Sequence, residues 1–427
     1  MFKLERVELL RSKKDYLYLF YLSIFLLSLS LSYQYYHYKK LTQFNSQLVH
    51  VEVLKQYTKT KVTKKGRLKI YQVLKLKSDD GFHFYSITSK NTPNYKGKRV
   101  LMKIWASHIT FLEYLKGFFA FSKIIDVDKN LSLKRKIVSF IKAQHSKSDI
   151  SDIYLALFLA KPLPYSLQQH FSNLGISHLI AISGFHLGVL SAILFFLIKY
   201  PYKYLQNNYF PYRSYQRDSF YIIAIFLCFY MLFLDSPPSL LRSYMLLVVG
   251  FFLYDQGLKV ISMQTLFITF ILLISLFVQL LFSIGFFLSI AGVFYIFLFL
   301  IHFQNKSKLL QFILIPLWIY LLMLPYSLAL FGNFSLYHPL SIVWTSLFTL
   351  FYPLAIFLHL IGEGNLLDHT VTLLLKLDPK ALHLHLSSYF IFVEILLSLG
   401  AIFNKKALYL LLLYVISIFI YAIYHVT

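Results

Sequence analysis

Long apolar runs separated by short polar segments fill most of the chain, and this pattern predicts a polytopic α-helical membrane protein. The first run covers about 16–36, and after residue 179 the runs follow one another in series. A helix needs about 20 apolar residues to cross the hydrocarbon core of a bilayer. The spans predicted in the second region are 179–200, 220–234, 240–254, 261–281, 285–303, 309–330, 341–361, 386–403 and 407–425. We expect about 8–10 spans in total, with one run or a pair of short runs re-entering, because the basic loops do not otherwise fall on one side.

The apolar pattern of residues 47–127 is different, because apolar and polar residues alternate there in short runs. The runs are rich in β-branched and aromatic residues, and the turn dipeptide Asp80-Gly81 separates two of them. Alternation with period two indicates strands, and Asp-Gly is a hairpin signal. Five short strands in so few residues predict a small all-β domain, a partly open barrel of OB type. A small β-sandwich would give a similar pattern.

These patterns divide the chain into four parts. Residues 1–40 hold an N-terminal segment and the first span, 47–127 the β-domain, 128–178 an amphipathic helical region, and 179–427 the remaining spans. The basic stretch "LSLKRKIVSFIKAQ" in the third part suits either a packed soluble helix or a helix on the membrane surface. More basic residues precede the first span than follow it. This bias predicts a cytoplasmic N-terminus and an extracytoplasmic β-domain in the bacterial inner membrane.

Charge adds an anionic partner to this picture. The chain has 42 Lys and Arg against 18 Asp and Glu, a formal net charge of +24. Cytoplasmic loops and anionic membrane lipid account for part of such an excess. A concentrated part lies in the β-domain, with no acidic residue between its members: Lys55, Lys59, Lys61, Lys64, Lys65, Arg67, Lys69, Lys75 and Lys77. Basic strands with neighbouring aromatic residues are typical of modules that bind single-stranded DNA, although a solvated hairpin face has the same composition.

Interrupted apolar runs mark the candidate permeation site. Breaks occur at "DSPPS", at "FSIGFF" and at "FGNFSLYHP". Broken helices are tolerated at membrane depth where they are buried in protein or line a wet cavity. Arg242 follows the first break inside an apolar run, where a charge costs about 2.5–3.5 kcal/mol on the insertion scale. The acidic residues of 179–361 are Asp218, Asp235 and Asp255, so no buried carboxylate pair suggests ion-coupled transport there.

The stretch "AISGFHLG" opens the first span of this region with small and polar residues. Ser183 and His186 are spaced to share a helix face, and Gly184 and Gly188 allow close helix approach. A serine and histidine also suit nucleophilic catalysis, but no orienting carboxylate or oxyanion site is evident. We therefore favour a polar pore lining. The sequence contains no ATP-binding phosphate loop, and His383 and His385 are not followed by the rest of a nuclease metal motif, so we predict no enzyme, metal or cofactor.

Four stretches in sequence order resemble conserved blocks of the ComEC family of competence proteins, inner-membrane channels proposed to bring transforming DNA into bacteria. They are "GISHLIAISGFHLGVL", "SPPSLLRSYML", "SIGFFLSIAGV" and "FGNFSLYHPLSIV". The resemblance implies an OB-type domain after the first span and a channel for single-stranded DNA. It also implies that the channel core includes Ser183, Gly184, His186, Pro237, Pro238, Ser239, Arg242, Gly285, Phe286, Ser289, Gly332, Ser335 and Pro339.

The sequence departs from the family pattern in one respect that affects function. Many members carry a metallo-β-lactamase-like domain thought to degrade the second strand, and its HxHxDH motif does not occur here. Strand degradation is therefore expected from another protein. Other expected partners are membrane lipid, a periplasmic DNA receptor, and a cytoplasmic helicase or single-strand-binding protein. Two alternatives stay open: a membrane-embedded enzyme acting on a lipid-linked or anionic polymer with His186 as base, and an envelope assembly scaffold.

Overall fold

The computed structural model describes residues 9–62, 68–127 and 133–426, which form two compact units. The β unit comprises Leu17–Ile137 and Ile271–Ser283. The helical unit comprises Met1–Tyr16, Val138–Phe270 and Ile284–Thr427. Each unit is built around its own core, and each is described below by itself.

The β unit contains one long helix, one short helix and a six-stranded sheet. The helices are α1 (Lys13–Thr42) and α2 (Phe111–Lys116). The strands are β1 (Gln47–Val62), β2 (Leu68–Ser78), β3 (His83–Thr88), β4 (Arg99–Trp105), β5 (Phe118–Phe119) and β6 (Phe121–Val127). The sequence prediction of a small β-domain in this part of the chain is confirmed.

The strand order of the sheet shows that it closes on itself. The order is β5-β3-β2-β1-β4-β6, so β5 and β6 occupy opposite edges. Only Ala120 separates these two strands along the chain, which forces the two edges together. The Ala120 N–H donates to the Tyr85 carbonyl at 2.9 Å, and the Ser86 and Ser122 hydroxyls lie 2.7 Å apart. Closure removes the free sheet edges that would otherwise pair with other chains.

Alternation along the strands fills the interior of this sheet. Phe84 is fully buried, and its ring stacks on that of Phe118 at 5.5 Å with 11° between the planes. The other buried side chains of this core include Val49, Val51, Val53, Leu74, Leu76, Phe82, Val100, Met102, Ile104 and Tyr114. Leu41 from α1 and Val278 from the 271–283 segment complete the cluster.

The helical unit consists of helices joined by short connections. Helix α3 (Leu133–Ala143) crosses from one unit into the other, and the rest belong largely to this unit. They are α4 (Ser148–Leu159), α5 (Tyr165–Asn173), α6 (Ser177–Ile180), α7 (Gly184–Tyr209), α8 (Tyr215–Phe233), α9 (Pro238–Asp255), α10 (Met263–Leu276), α11 (Ile284–Phe303), α12 (Lys308–Leu330), α13 (Ser341–Leu360), α14 (Asp368–Lys376), α15 (Ser388–Phe403) and α16 (Lys405–Val426). A two-stranded sheet pairs β7 (Asn333–Phe334) with β8 (Leu382–His383).

Every apolar run predicted after residue 179 forms a helix, and the polytopic membrane class is confirmed. Within the described residues, seven helices are long and apolar enough to cross a bilayer: α1, α7, α8, α11, α12, α13 with the turn before it, and α16. Two predicted spans are shorter than expected, because α10 has 14 residues and α15 has 16. Helix α9 has 18 residues and includes Arg242.

We predict that Phe84→Ala strongly destabilises a segment of residues 47–127 and shifts its urea midpoint far down, because deleting a buried phenylalanine costs about 3–5 kcal/mol. A domain of this size has a total stability of about 5–15 kcal/mol. Far-ultraviolet circular dichroism and urea titration measure the loss. Phe121→Ala is the control, since that ring is 70% exposed and its removal should leave the midpoint nearly unchanged. Equal midpoints for the two variants would contradict the described core.

Candidate functional site

The chain breaks its helical path just before α7, and polar groups close the break. Helix α6 ends at Ile180, and Ser183 has an extended backbone in front of Gly184, the first residue of α7. The Ser183 N–H donates to His186 Nδ1 at 3.2 Å, and the Ser183 hydroxyl lies 3.1 Å from the same nitrogen. Because Nδ1 accepts this N–H, the proton of a neutral His186 ring is on Nε2, which is buried without a hydrogen-bond partner.

The beginning of α7 packs directly on the beginning of α9. A Cβ atom at Gly184 would lie 2.5 Å from the Ser243 hydroxyl and 3.3 Å from Arg242 Nη2, so only glycine fits there. The Ser239 hydroxyl donates to the Ile182 carbonyl at 2.7 Å and joins the two helix starts. The prediction of close approach is therefore confirmed at Gly184.

The same prediction is wrong at Gly188. This residue is exposed, and no heavy atom lies within 4 Å of the position that a Cβ would take. Gly188 is one turn further along α7, beyond the point where α7 and α9 touch.

Arg242 is buried in this crossing and is largely unpaired. Its side chain is 5% exposed, and only Nη2 has a partner, the Ser243 hydroxyl at 2.9 Å. Nε and Nη1 are buried without hydrogen bonds. The Ser243 hydroxyl in turn donates to the Ser239 carbonyl at 2.9 Å.

The other two arginines of residues 179–361 are paired. Arg213 donates from Nε to Asp218 at 2.7 Å, and Arg217 donates from Nε to Asp255 at 3.0 Å. Both arginine side chains are 54% exposed. Two of the three acidic residues of this region therefore have arginine partners at the ends of helices, away from Arg242.

The proline break before α9 has strained backbone. Asp235 and Ser236 both have positive φ, 63° and 51°, a conformation uncommon for residues other than glycine. Pro237 precedes the helix and Pro238 is its first residue. Proline fits this position because the first N–H groups of a helix have no carbonyl partner. The predicted break is thus a sharp turn that brings Ser239 to the start of α7.

The third sequence block lies on α11, which packs against α9. Phe286 is fully buried and stacks on Phe270 at 5.9 Å, with 12° between the ring planes. Gly285 is exposed and Ser289 is half-buried. Phe286 is therefore a packing residue, and no hydrogen bond of Gly285 or Ser289 links them to Arg242 within the described residues.

The fourth block supports the segment that leads into α7. The Ser335 hydroxyl donates to the Asn173 carbonyl at 2.7 Å, and a Cβ at Gly175 would lie 3.0 Å from the His338 ring. Gly332 has a φ of 68°, and a Cβ there would be 2.7 Å from His383. Pro339 is half-buried in the turn before α13. Residues 332–339 thus pack against the connection between α5 and α6 and support the segment that leads into α7.

Residues 160–426 match the family model described as Competence protein. This match covers more than half of the chain. The chain belongs to the competence protein family. The resemblance carried by the four sequence blocks is confirmed, and the family supports a role in DNA-uptake competence. Comparison with curated proteins and with solved structures gave no match.

Six of the nine basic residues predicted to bind DNA lie on the long hairpin of β1 and β2 in this competence protein. A register shift between Val53 and Lys55 marks a bulge in β1. Val53 points into the core, and beyond the bulge Lys55, Lys59 and Lys61 are exposed. The bulge therefore turns the odd-numbered residues of β1 outward, because an extra residue reverses the alternation of a strand.

Cross-strand pairing brings like charges together on this hairpin. Lys55 is opposite Lys75, and Lys61 is opposite Lys69. Desolvation and repulsion by Lys75 both lower the pKa of Lys55. Lys77 differs, because it is opposite Glu52. Like charges directly opposite each other destabilise a sheet, so this face is suited to an anionic ligand.

Three of the predicted DNA-binding residues, Lys64, Lys65 and Arg67, lie outside the described residues. Aromatic rings accompany the others: Lys59 Nζ is 5.8 Å from the Tyr57 ring centre, and Lys75 Nζ is 5.8 Å from that of Tyr85. Among the residues that the structure describes, no group of three or more His, Cys, Asp or Glu side chains is arranged to hold a metal ion.

Two polar clusters of the competence protein were not predicted. Glu394 on α15 is fully buried, and the Tyr295 hydroxyl lies 3.2 Å from its Oε1. The acidic residue inside the apolar run 386–403 was the available signal. The second cluster joins His145, which follows α3, to Asp368 at 2.8 Å and to His359 at 3.0 Å. His145 is more than 200 positions away from each of its two partners, so no local pattern indicates these contacts.

We predict that Gly184→Leu abolishes transformation while Gly188→Leu retains it, because only Gly184 has neighbouring atoms within van der Waals reach. Transformation frequency and the amount of protein in the membrane fraction are the measurements. Ser183→Ala should reduce transformation less than Gly184→Leu, since water can replace a hydroxyl but cannot make room for a leucine. A severe loss from Ser183→Ala with normal protein levels would instead favour a chemical role for the serine.

Proposed function

We propose that this competence protein is the inner-membrane channel through which single-stranded DNA enters the cytoplasm during natural transformation. The observation that supports this most directly is the family match across residues 160–426, which includes every helix of the polar crossing. DNA is a polyanion, so its path should contain positive and neutral polar groups and few carboxylates. Asp218 and Asp255 are already neutralised by arginines, which agrees with this requirement.

The crossing of α7 and α9 is the proposed wall of the path. It combines a glycine contact, which can open without leaving a large cavity, with serine and histidine groups that can replace water around a phosphodiester backbone. The breaks at Ser183 and at Pro237 place the N-terminal ends of α7 and α9 at this point. Such starts are typical of binding sites for anionic substrates in transporters.

We propose that the β unit is an OB-type barrel that holds the incoming strand. Its antiparallel β1-β2-β3 meander, the β1–β4 pair, the parallel β3–β5 pair and the β4–β6 pair support this assignment. In this interpretation β5 and β6 together act as the fifth strand of the barrel. The outward face with Lys55, Lys59 and Lys75 supplies phosphate contacts, and Tyr57 and Tyr85 supply stacking.

Orientation follows from the charge flanking α1. Arg11, Lys13 and Lys14 precede the apolar part of this helix, after Lys3 and Arg6, and only Lys39 and Lys40 follow it closely. By the positive-inside rule, the N-terminus is cytoplasmic and the β-domain of residues 47–127 is extracytoplasmic. Proposed partners are single-stranded DNA, membrane lipid, a periplasmic DNA receptor, and a cytoplasmic helicase or single-strand-binding protein.

The enzymatic alternative is favoured by one observation, the 3.1 Å contact between the Ser183 hydroxyl and His186 Nδ1. Against it, the same nitrogen accepts the Ser183 backbone N–H, and within the described residues no carboxylate is hydrogen-bonded to the ring. A nucleophile–base pair needs a third group that orients the base. The arrangement suits a helix start better than a catalytic pair, and we propose no catalytic role.

Deleting the gene should abolish entry of labelled DNA into the cytoplasm and leave DNA uptake into the periplasm intact. Fluorescent DNA outside the cell is degraded by added nuclease. Periplasmic DNA is protected from the nuclease but is released when the outer membrane is disrupted, and cytoplasmic DNA is retained. A plasmid copy should restore entry. Normal cytoplasmic DNA in the deletion strain would contradict the channel, and loss of periplasmic uptake would favour a scaffold.

The isolated segment 47–127 should bind single-stranded DNA weakly and without sequence preference. With about four phosphate contacts, log affinity should fall with log salt at a slope near −3, since each contact contributes about −0.7. Replacing Lys55, Lys59 and Lys75 by Glu should flatten the slope by about 2. The matched control replaces Lys90, Lys96 and Lys98, which lie outside the hairpin, and should retain most of the slope. Fluorescence anisotropy measures both, and absence of binding at low salt would remove the β unit from the DNA path.

A further inference from the structure

Three positive features converge where α7 and α9 begin. The first is the Arg242 guanidinium, and the others are the N-terminal ends of the two helices, each of which carries a partial positive charge. Arg242 Nη2 would be 3.3 Å from a Cβ at Gly184, so the guanidinium lies against the first residue of α7. Arg242 is itself in the second turn of α9. Charges of one sign therefore meet in a buried place.

Nothing among the described residues neutralises this cluster. The ion pairs of the region join Arg213 to Asp218 and Arg217 to Asp255, and none includes Arg242. A guanidinium has five N–H groups, and the structure pairs Arg242 only through Nη2, with a neutral hydroxyl. Nε and Nη1 are buried and unpaired in a side chain that is 5% exposed. The buried N–H groups need acceptors, and an anion would supply them and balance the buried charge as well.

We propose that Arg242 and the first turns of α7 and α9 form a binding site for one phosphate group, and that this phosphate belongs to the backbone of single-stranded DNA. The identity of the DNA rests on the proposed channel function. The site deepens that function by assigning one position of the path at which a phosphodiester is held.

The chemistry of the groups suits a phosphodiester. The planar guanidinium can donate two parallel hydrogen bonds to the two non-bridging oxygens, a geometry that lysine cannot reproduce. Free backbone N–H groups at a helix start add donors that point along the helix axis toward an anion.

The hydroxyls of the crossing explain how the site can open. Ser239 bonds to the Ile182 carbonyl across the two helix starts, and Ser243 bonds to both Arg242 and the Ser239 carbonyl. None of these contacts is an ion pair. When the two helix starts separate at Gly184, a phosphate oxygen can accept from the Ser239 hydroxyl and from the Arg242 guanidinium in place of their present partners.

The test uses the full chain in nanodiscs of zwitterionic lipid, with a labelled oligothymidylate of about 20 nucleotides as the probe. Affinity is measured between about 50 and 200 mM salt for wild type, Arg242→Gln, Arg242→Lys and the control Arg217→Gln. Arg242→Gln should weaken binding several-fold and flatten the salt slope by about 0.7, the loss of one phosphate contact. Arg242→Lys should keep the slope and lose part of the affinity, and Arg217→Gln should match wild type.

Unchanged affinity and slope in Arg242→Gln would overturn the site. A lipid control tests the identity of the anion. If phosphatidylglycerol in the nanodisc raises the melting temperature of wild type but not of Arg242→Gln, and the oligonucleotide changes the melting temperature of neither protein, the anion is a lipid headgroup and the proposal is wrong. If neither Arg242 variant accumulates, the arginine is structural and the proposal is rejected.

A cellular arm separates this proposal from the channel itself. Arg242→Gln should abolish transformation at normal protein levels, as deletion of the gene does. Normal transformation by Arg242→Gln in a host where deletion blocks DNA entry would leave the channel standing and remove the phosphate site. A deletion without effect would remove the channel instead.

Discussion

Polar groups inside a lipid bilayer must find partners within the protein, and this constraint organises the helical unit. Several hydroxyls meet it locally by donating to the carbonyl one turn earlier, as Thr269 does to Thr265 and Thr345 to Ser341. Such bonds cost a helix little and leave its surface effectively apolar. Arg242 cannot be satisfied in this way, because its donors extend beyond its own helix. At the crossing of α7 and α9, Arg242 therefore has buried donors that the carbonyls of its own helix do not pair.

The helices of the membrane region could be predicted from hydropathy because burial in lipid selects long apolar runs almost independently of tertiary structure. Their contacts could not. Gly184 and Gly188 are one helical turn apart in the same apolar run, and the sequence does not show that Ser243 and Arg242 of α9 pack against the first but not the second. The lengths of α10 and α15 were also overestimated, because Phe277 and Ser387 are as compatible with a helix as with the turns in which they lie.

The β unit shows the same division between local and distant information. Alternation predicts the strands, and the Asp80-Gly81 turn predicts the hairpin of β2 and β3. Closure depends instead on Ala120, a residue with no special signal, because its neighbours pair with opposite edges of the sheet. The bulge after Val53 was equally hidden, although it determines which lysines face outward. Glu394 is a different case, because an acidic residue inside the apolar run 386–403 is itself a local signal of a buried carboxyl group.

The hydrogen bonds among His145, His359 and Asp368 indicate where the protons of these three side chains lie. His359 Nδ1 lies 2.7 Å from the Ala355 carbonyl, which can only accept, so His359 Nε2 must accept from His145. His145 Nδ1 then faces the Asp368 carboxyl, and every contact is a hydrogen bond only when one additional proton is shared between those two groups. The connection between the α3–α4 turn and the start of α14 is thus an electrically neutral assembly in which one proton serves both an imidazole and a carboxyl group.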